Sequence, residues 1–199
     1  MKTLSMKHLL RGLAACALLC CTALAGAAQP APALPGDSIY QLPLPLTDSH
    51  GKTADWRTLR GKPRLVSMFY TSCQYICPLI VESGKAVERQ LSPAQQARLG
   101  VVLISMDPAR DTPAALKKVA DQRKLDSKRW LLASPPAGDV RAVAAVLGIR
   151  YRQLADGEFN HSSALILVDA NGRILARTEQ IGSKPDPAFV AAVRKATGN

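Results

Sequence analysis
Acidic residues are scarce in this chain. Fifteen Asp and Glu stand against 26 Lys and Arg over 199 residues, a formal net charge of +11. There is too little chain for two domains and a linker. There is no internal repeat, and after the first 40 residues no second Pro- or Gly-rich tether. Cysteines number five, and three of them (Cys16, Cys20, Cys21) sit together near the start. Only Cys73 and Cys77 remain beyond that point, and His161 is the only histidine in the second half. A structural zinc site needs four protein ligands, and these residues supply three. What is present in quantity is apolar: a 47% hydrophobic and 21% charged composition excludes wholesale disorder.

The start of the chain has the plan of a secretory leader. Lys2, Lys7 and Arg11 are followed by an uncharged run, Gly12 to Ala28, with small residues at Ala23-Leu24-Ala25 and Ala25-Gly26-Ala27. At about 17 residues the run is at the short limit for a membrane span. Residues 1–28 are therefore expected to be a signal peptide, with an uncleaved N-terminal anchor as the alternative. Leu18-Leu19-Cys20 lacks the small residues that a lipoprotein signal places before its cysteine. Losing Lys2, Lys7 and Arg11, the only charges among the first 28 residues, takes the net charge from +11 to +8. Outside the cytoplasm nucleic acid is a poor partner for such a chain. An anionic membrane surface or an acidic protein fits better. Residues 29–39 open with Gln-Pro-Ala-Pro-Ala-Leu-Pro-Gly and are expected to form an extended linker, with one domain over 40–199.

Within that domain, Arg64 to Tyr70, Val101 to Met106 and Ala164 to Asp169 are apolar runs of strand length, as expected of buried strands. Leu42 to Leu46 reads as an earlier strand, followed by a turn at Asp48-Ser49-His50-Gly51. Helices are expected over Pro78 to Gln90, from Ser92-Pro93, from Thr112-Pro113 to about Lys124, after Asp139 as cap, and over Pro187 to Thr197. Ala170-Asn171-Gly172 turns the third strand into a hairpin ending at Thr178. This alternation argues an α/β layer fold. Chemistry in such folds gathers at the carboxyl ends of the strands. Here that means 71–77, 107–111 and the approach to the third strand at 160–163.

The segment Thr71-Ser72-Cys73-Gln74-Tyr75-Ile76-Cys77-Pro78 joins a buried strand to a helix. Pro78 places Cys77 at or just before the helix start, where the positive helix end and unpaired N–H groups favour a thiolate. Three readings stay open from these residues: a structural disulfide, a redox-active pair, or a soft-metal site completed by His161. If a metal, Cu(I) taken up and released by three ligands suits the set better than structural zinc. Asp107 and Asp111 read first as turn and cap devices. Met68 and Met106 read as core, Trp56 and Trp130 as core or near it, and His50 as a surface turn residue.

Four stretches together resemble one family. They are FYTSCQYICPLI, ISMDPARDTP, FNHSSALILVDANGRI and LTDSHGKTADWRTLRGKP, spanning about Leu46 to Ile174. The chain is similar to the SCO/SenC proteins, thioredoxin-like copper proteins linked to cytochrome oxidase assembly. The resemblance implies an α/β thioredoxin-like fold with a central mixed sheet flanked by helices. It implies copper, as Cu(I) or Cu(II), on Cys73, Cys77 and His161. It also implies a role in delivering copper to the binuclear copper A site of cytochrome c oxidase subunit II in the periplasm. An alternative within the family is a thiol–disulfide oxidoreductase, with Cys73 and Cys77 as the redox pair and a thiol reductant as partner. Two departures bear on affinity and redox poise. Ser72 stands where an aromatic is frequent, and Gln74-Tyr75-Ile76 replaces the usual Pro-Asp-Val between the cysteines.

Overall fold
Every residue of the strand Gly100–Ser105 is buried, and so are five of the six in Arg64–Phe69. Strands enclosed on both faces are largely apolar, the buried Ser67 and Ser105 being tolerated because their hydroxyls are hydrogen-bonded, which is why these two runs are so legible in the sequence. The computed structural model describes residues 33–198. The expected signal peptide and the first part of the expected linker lie outside the described residues.

The strands are β1 (Pro45–Asp48), β2 (Thr53–Asp55), β3 (Arg64–Phe69), β4 (Gly100–Ser105), β5 (Trp130–Ser134), β6 (Tyr151–Gln153), β7 (Phe159–His161), β8 (Leu165–Val168) and β9 (Ile174–Thr178). The helices are α1 (Ile76–Arg89), α2 (Pro93–Arg98), α3 (Pro113–Gln122), α4 (Val140–Val146) and α5 (Pro187–Thr197). Seven strands form one sheet in the order β2-β1-β5-β4-β3-β8-β9. β3, β4 and β5 run parallel, while β8 is antiparallel to β3, and β1 to β5. The sheet is therefore mixed, with helices as the crossovers between its parallel strands. β6 and β7 form a separate two-stranded ribbon. Among the described residues no helix is long and apolar enough to cross a membrane.

The caps explain why the helices start where they do. Thr112 accepts the Ala115 N–H, Ser92 and Gln95 form a reciprocal capping box, and Asp186 accepts from Ala188 and Phe189. Asp139 departs from expectation. Its side chain makes no capping bond, and α4 is entered instead through a 3-10 turn, Ala137–Asp139. The first strand lies later than expected, at Pro45–Asp48, because the Leu42 and Leu44 carbonyls accept from the indole and backbone N–H of Trp56. Ser38 to Tyr40 are buried, and the Ile39 N–H donates to the Gly172 carbonyl at 2.9 Å. The folded part thus begins before Tyr40. Gly172 has φ +84°, and a Cβ there would meet the Tyr40 ring at 2.5 Å. The hairpin turn and this incoming segment therefore require glycine together.

β5 was not anticipated, although Trp130 was expected near the core and is 6% exposed. Trp130 packs on α1 at Gly84, where an added methyl would lie 2.5 Å from its ring. The indole cannot swing away freely, because its N–H donates to the buried Glu88 carboxylate at 3.0 Å. Arg129 donates to the other oxygen of the same carboxylate at 3.0 Å. In an open helix site Gly→Ala stabilises by about 1 kcal/mol. Here Gly84→Ala is expected to destabilise by about 1–3 kcal/mol through overpacking. A urea midpoint lower than that of the unaltered protein checks the sign.

Candidate functional site
Because β3 and β4 are parallel and β8 runs against them, the chain leaves β3 and β4, and enters β8, on one edge of the sheet. The Ser67 hydroxyl donates to the Ala164 carbonyl at 2.7 Å and fixes that alignment. The three segments singled out in the sequence therefore share one edge.

The β3–α1 turn carries the cysteines. α1 begins at Ile76, so Cys77 is its second residue and its sulfur points into the core, 4% exposed. Cys73 lies in the preceding turn, half-buried, and neither cysteine is in a disulfide. The Tyr70 N–H approaches the Cys77 sulfur at 3.4 Å, and the Cys77 N–H approaches the Cys73 sulfur at 3.4 Å. This reverses the assignment expected from sequence. The start of α1 directs its N–H groups at Cys73, one turn back, and not at the sulfur of Cys77 itself.

The electrostatics follow. The Cys77 thiol donates to the Cys73 sulfur. With the N–H groups of Cys77 and Tyr75, it outweighs burial and brings Cys73 down to about 4. Cys77 is pushed up, first by holding the proton in that bond and then by burial, with the charge of Asp111 adding to both. Cys73 is thus a thiolate at neutral pH and Cys77 a thiol.

Asp111 is more than a turn residue. Its carboxylate accepts from Thr71 N–H at 3.0 Å, Thr71 Oγ1 at 2.6 Å and Ser105 Oγ at 2.5 Å. It is buried, and burial raises its pKa despite these donors. The cap of α3 is the next residue, Thr112. Asp107 pairs with Arg110, which also reaches Glu158 and the Gly157 carbonyl. No local spacing flags Asp111, because its carboxylate takes its donors from Thr71 after β3 and from Ser105 at the end of β4.

His161 is the last residue of β7. Its Nδ1 stands 3.1 Å from the Ser162 carbonyl. A carbonyl only accepts, so Nδ1 carries the proton and Nε2 presents a lone pair. That Nε2 is buried and, among the described residues, has no partner. An orphaned buried nitrogen is costly, and it is the state expected of a ligand without its ion. The ring meets Tyr70 edge-on at 5.9 Å. Tyr70 also contacts Phe159 and donates to Glu158 at 2.9 Å, so one side chain links the cysteine turn to the β6–β7 ribbon. Tyr70, Glu158 and Arg110 were not singled out from sequence, because their role appears only when the ribbon folds back over the sheet edge. Among the described residues no three His, Cys, Asp or Glu side chains converge as a metal cage. The cysteines are together, and His161 stands across Tyr70 from them. Met68 and Met106 are core residues, 1% and 2% exposed, and Trp56 is core as well. His50 lies exposed in its turn.

Comparison with known proteins is consistent with this geometry. The SCO1/SenC family model matches residues 32–197. A SCO1 protein homolog of Bacillus subtilis is 23% identical over 158 residues, 78% of this chain and 81% of that protein. A SCO1/SenC family lipoprotein from Bacillus anthracis superposes with a TM-score of 0.70 at 20% identity, over 79% of this chain and 94% of that one. The copper-bound ScoI of Bradyrhizobium japonicum gives 0.64 at 24% identity, over 78% and 98%. These likenesses establish the fold as the thioredoxin-like α/β architecture.

The cysteine asymmetry has a direct readout. Iodoacetamide at about pH 6 should alkylate Cys73 and spare Cys77, because only a thiolate reacts. Since the Cys73 pKa is lowered, its labelling should hold as pH falls and fade only on approach to about 4. Peptide mapping by mass spectrometry over a pH series checks both.

Proposed function
Because this chain belongs to the SCO1/SenC family, we propose that it is an extracytoplasmic copper carrier holding the ion on Cys73, Cys77 and His161. The observation that carries the reading is the buried Nε2 of His161, unpartnered among the described residues, on the same sheet edge as two free cysteines. Two sulfurs and one imidazole make a soft, three-donor set, suited to Cu(I) and open to ligand exchange. Cys73, half-exposed and already ionised, meets the incoming ion first. Cys77 then gives up its proton, and His161 completes the set from the ribbon. The acceptor in this reading is the binuclear copper A site of cytochrome c oxidase subunit II, reached in the periplasm after export on the leader at residues 1–28. Handover replaces the thiolates of this chain with those of the acceptor. The copper keeps its charge, and the protons released by the acceptor's thiols return to Cys77 or to water.

A second reading rests on the division between the cysteines. An ionised, accessible Cys73 beside a protonated, buried Cys77 is the arrangement of an attacking and a resolving thiol. Cys73 would attack a substrate disulfide, forming a mixed disulfide and releasing one substrate thiolate. Cys77 would then displace the second. Two electrons pass to the substrate, leaving Cys73–Cys77 oxidised until a thiol reductant restores them. The two roles are compatible, since only the reduced pair can bind copper.

Anaerobic titration of the reduced domain with Cu(I) against a chelator discriminates between them. Tight one-to-one binding that is lost in Cys73→Ser and Cys77→Ser, and weakened in His161→Ala, is expected. Unchanged binding in Cys73→Ser would sink the carrier reading. Weak binding in every form, with turnover of a disulfide substrate, would favour the oxidoreductase.

A further inference from the structure
The donors of the proposed site stand on two bodies. The cysteines are on the edge of the main sheet, and His161 is on the β6–β7 ribbon, which shares no ladder with that sheet. Two strands of three residues are too little to keep a fixed place in water unaided. Packing beneath the ribbon is incomplete as well. A cleft of about 560 Å³ lies between Tyr151 and Phe159 of the ribbon, Met106 and Pro108 after β4, and Val140 of α4. Specific contacts must therefore set where the ribbon stands.

The base of the ribbon is tied to the sheet through Ala164, whose carbonyl accepts from Ser67 at 2.7 Å. Its tip is held by Arg110. That guanidinium pairs with the buried Asp107 carboxylate just after β4. Its Nη2 donates to the Gly157 carbonyl at 2.5 Å, and its Nη1 stands 3.6 Å from Glu158 Oε1. The other Glu158 oxygen accepts from the Tyr70 hydroxyl at 2.9 Å. Among the described residues no other ion pair involves residues 151–161. β7 is the extended segment between these two fixed ends, so the tip sets its pitch and with it the direction in which His161 faces.

Resting on the copper-carrier reading, we propose that Arg110 is a positioning residue, clamping the ribbon tip to the sheet edge so that His161 can close on an ion held by Cys73 and Cys77. Arginine suits this task because one planar guanidinium serves three acceptors in fixed directions, where lysine is a point charge. On the ribbon side the clamp is open to solvent, the Arg110 and Glu158 side chains being 42% and 41% exposed. Pairs this exposed add little to global stability. Losing the clamp therefore frees the ribbon and leaves the main sheet folded.

Three variants test the proposal. Arg110→Gln removes the charge, Arg110→Lys keeps it without the fork, and Glu158→Gln weakens the ribbon side while Asp107 keeps its partner. In the copper-free proteins, diethyl pyrocarbonate labelling of His161 is read against the exposed His50 by peptide mass mapping. With Nε2 of His161 buried, the ratio should be low in the unaltered protein. It should rise about tenfold in Arg110→Gln, for the loss of a hydrogen bond and an exposed pair, and less in the other two. With Cu(I), chelator competition compares Arg110→Gln, His161→Ala and the variant carrying both. A clamp that acts through His161 predicts non-additive losses, the combined variant binding no more weakly than His161→Ala alone. Losses that add would show a general structural role and overturn the proposal. So would an unchanged labelling ratio in Arg110→Gln. Should Arg110→Gln fail to fold, Glu158→Gln decides: a raised ratio supports the clamp and an unchanged one overturns it. Unaltered protein that takes up no copper would sink the carrier reading and the proposal with it. An unchanged ratio in protein that loads copper would sink the clamp alone.

Discussion
The Asp111 carboxylate is the point on which the sheet edge depends. It collects donors from Thr71, at the end of β3, and from Ser105, at the end of β4, while its own carbonyl accepts from Ser134 at the end of β5. A buried carboxylate is tolerated only when such donors replace water. In return it fixes the last turn of backbone before Cys73 against three parallel strands. The cysteine turn can therefore stay partly open to solvent without losing its place. Its anchor is below it, in the sheet, and not in a disulfide across it.

From that anchor the two sulfurs acquire different characters by direction alone. α1 carries Cys77 inward, where its bond to the Cys73 sulfur and then burial favour the protonated form. The same helix start aims its N–H groups outward at Cys73. Tyr70 then relays position across the edge, touching Cys77 through its backbone, His161 through its ring and Glu158 through its hydroxyl. The third donor of the proposed site thus sits on a ribbon that is separate from the main sheet. It is held to the cysteine turn by side-chain contacts rather than by ladder hydrogen bonds. Such an arrangement suits a site that must close on an ion and open again.

The main sheet was legible because its central strands are continuous apolar runs, and the helices because Thr112-Pro113, Ser92-Pro93 and Asp186-Pro187 announce their starts. The edge that gathers the site followed from strand direction. β5 escaped because Trp130-Leu131-Leu132-Ala133-Ser134 is an apolar run without alternation, which helix and strand periods read alike. β6 and β7 escaped because three-residue strands such as Tyr151-Arg152-Gln153 carry no readable alternation. The identity of the thiolate was misread for a geometric reason. Sequence places Cys77 at the helix start, but only the fold tells which sulfur those N–H groups face. Tyr70, Glu158 and Arg110 act across long sequence separations, so no local pattern could have joined them.

X-ray absorption at the copper edge tests the three-donor site most directly. The account predicts two sulfur scatterers and one imidazole in the Cu(I)-loaded protein, with the imidazole signal gone in His161→Ala and both sulfurs kept. A sulfur-only spectrum in the unaltered protein, or an imidazole signal that survives His161→Ala, would contradict it.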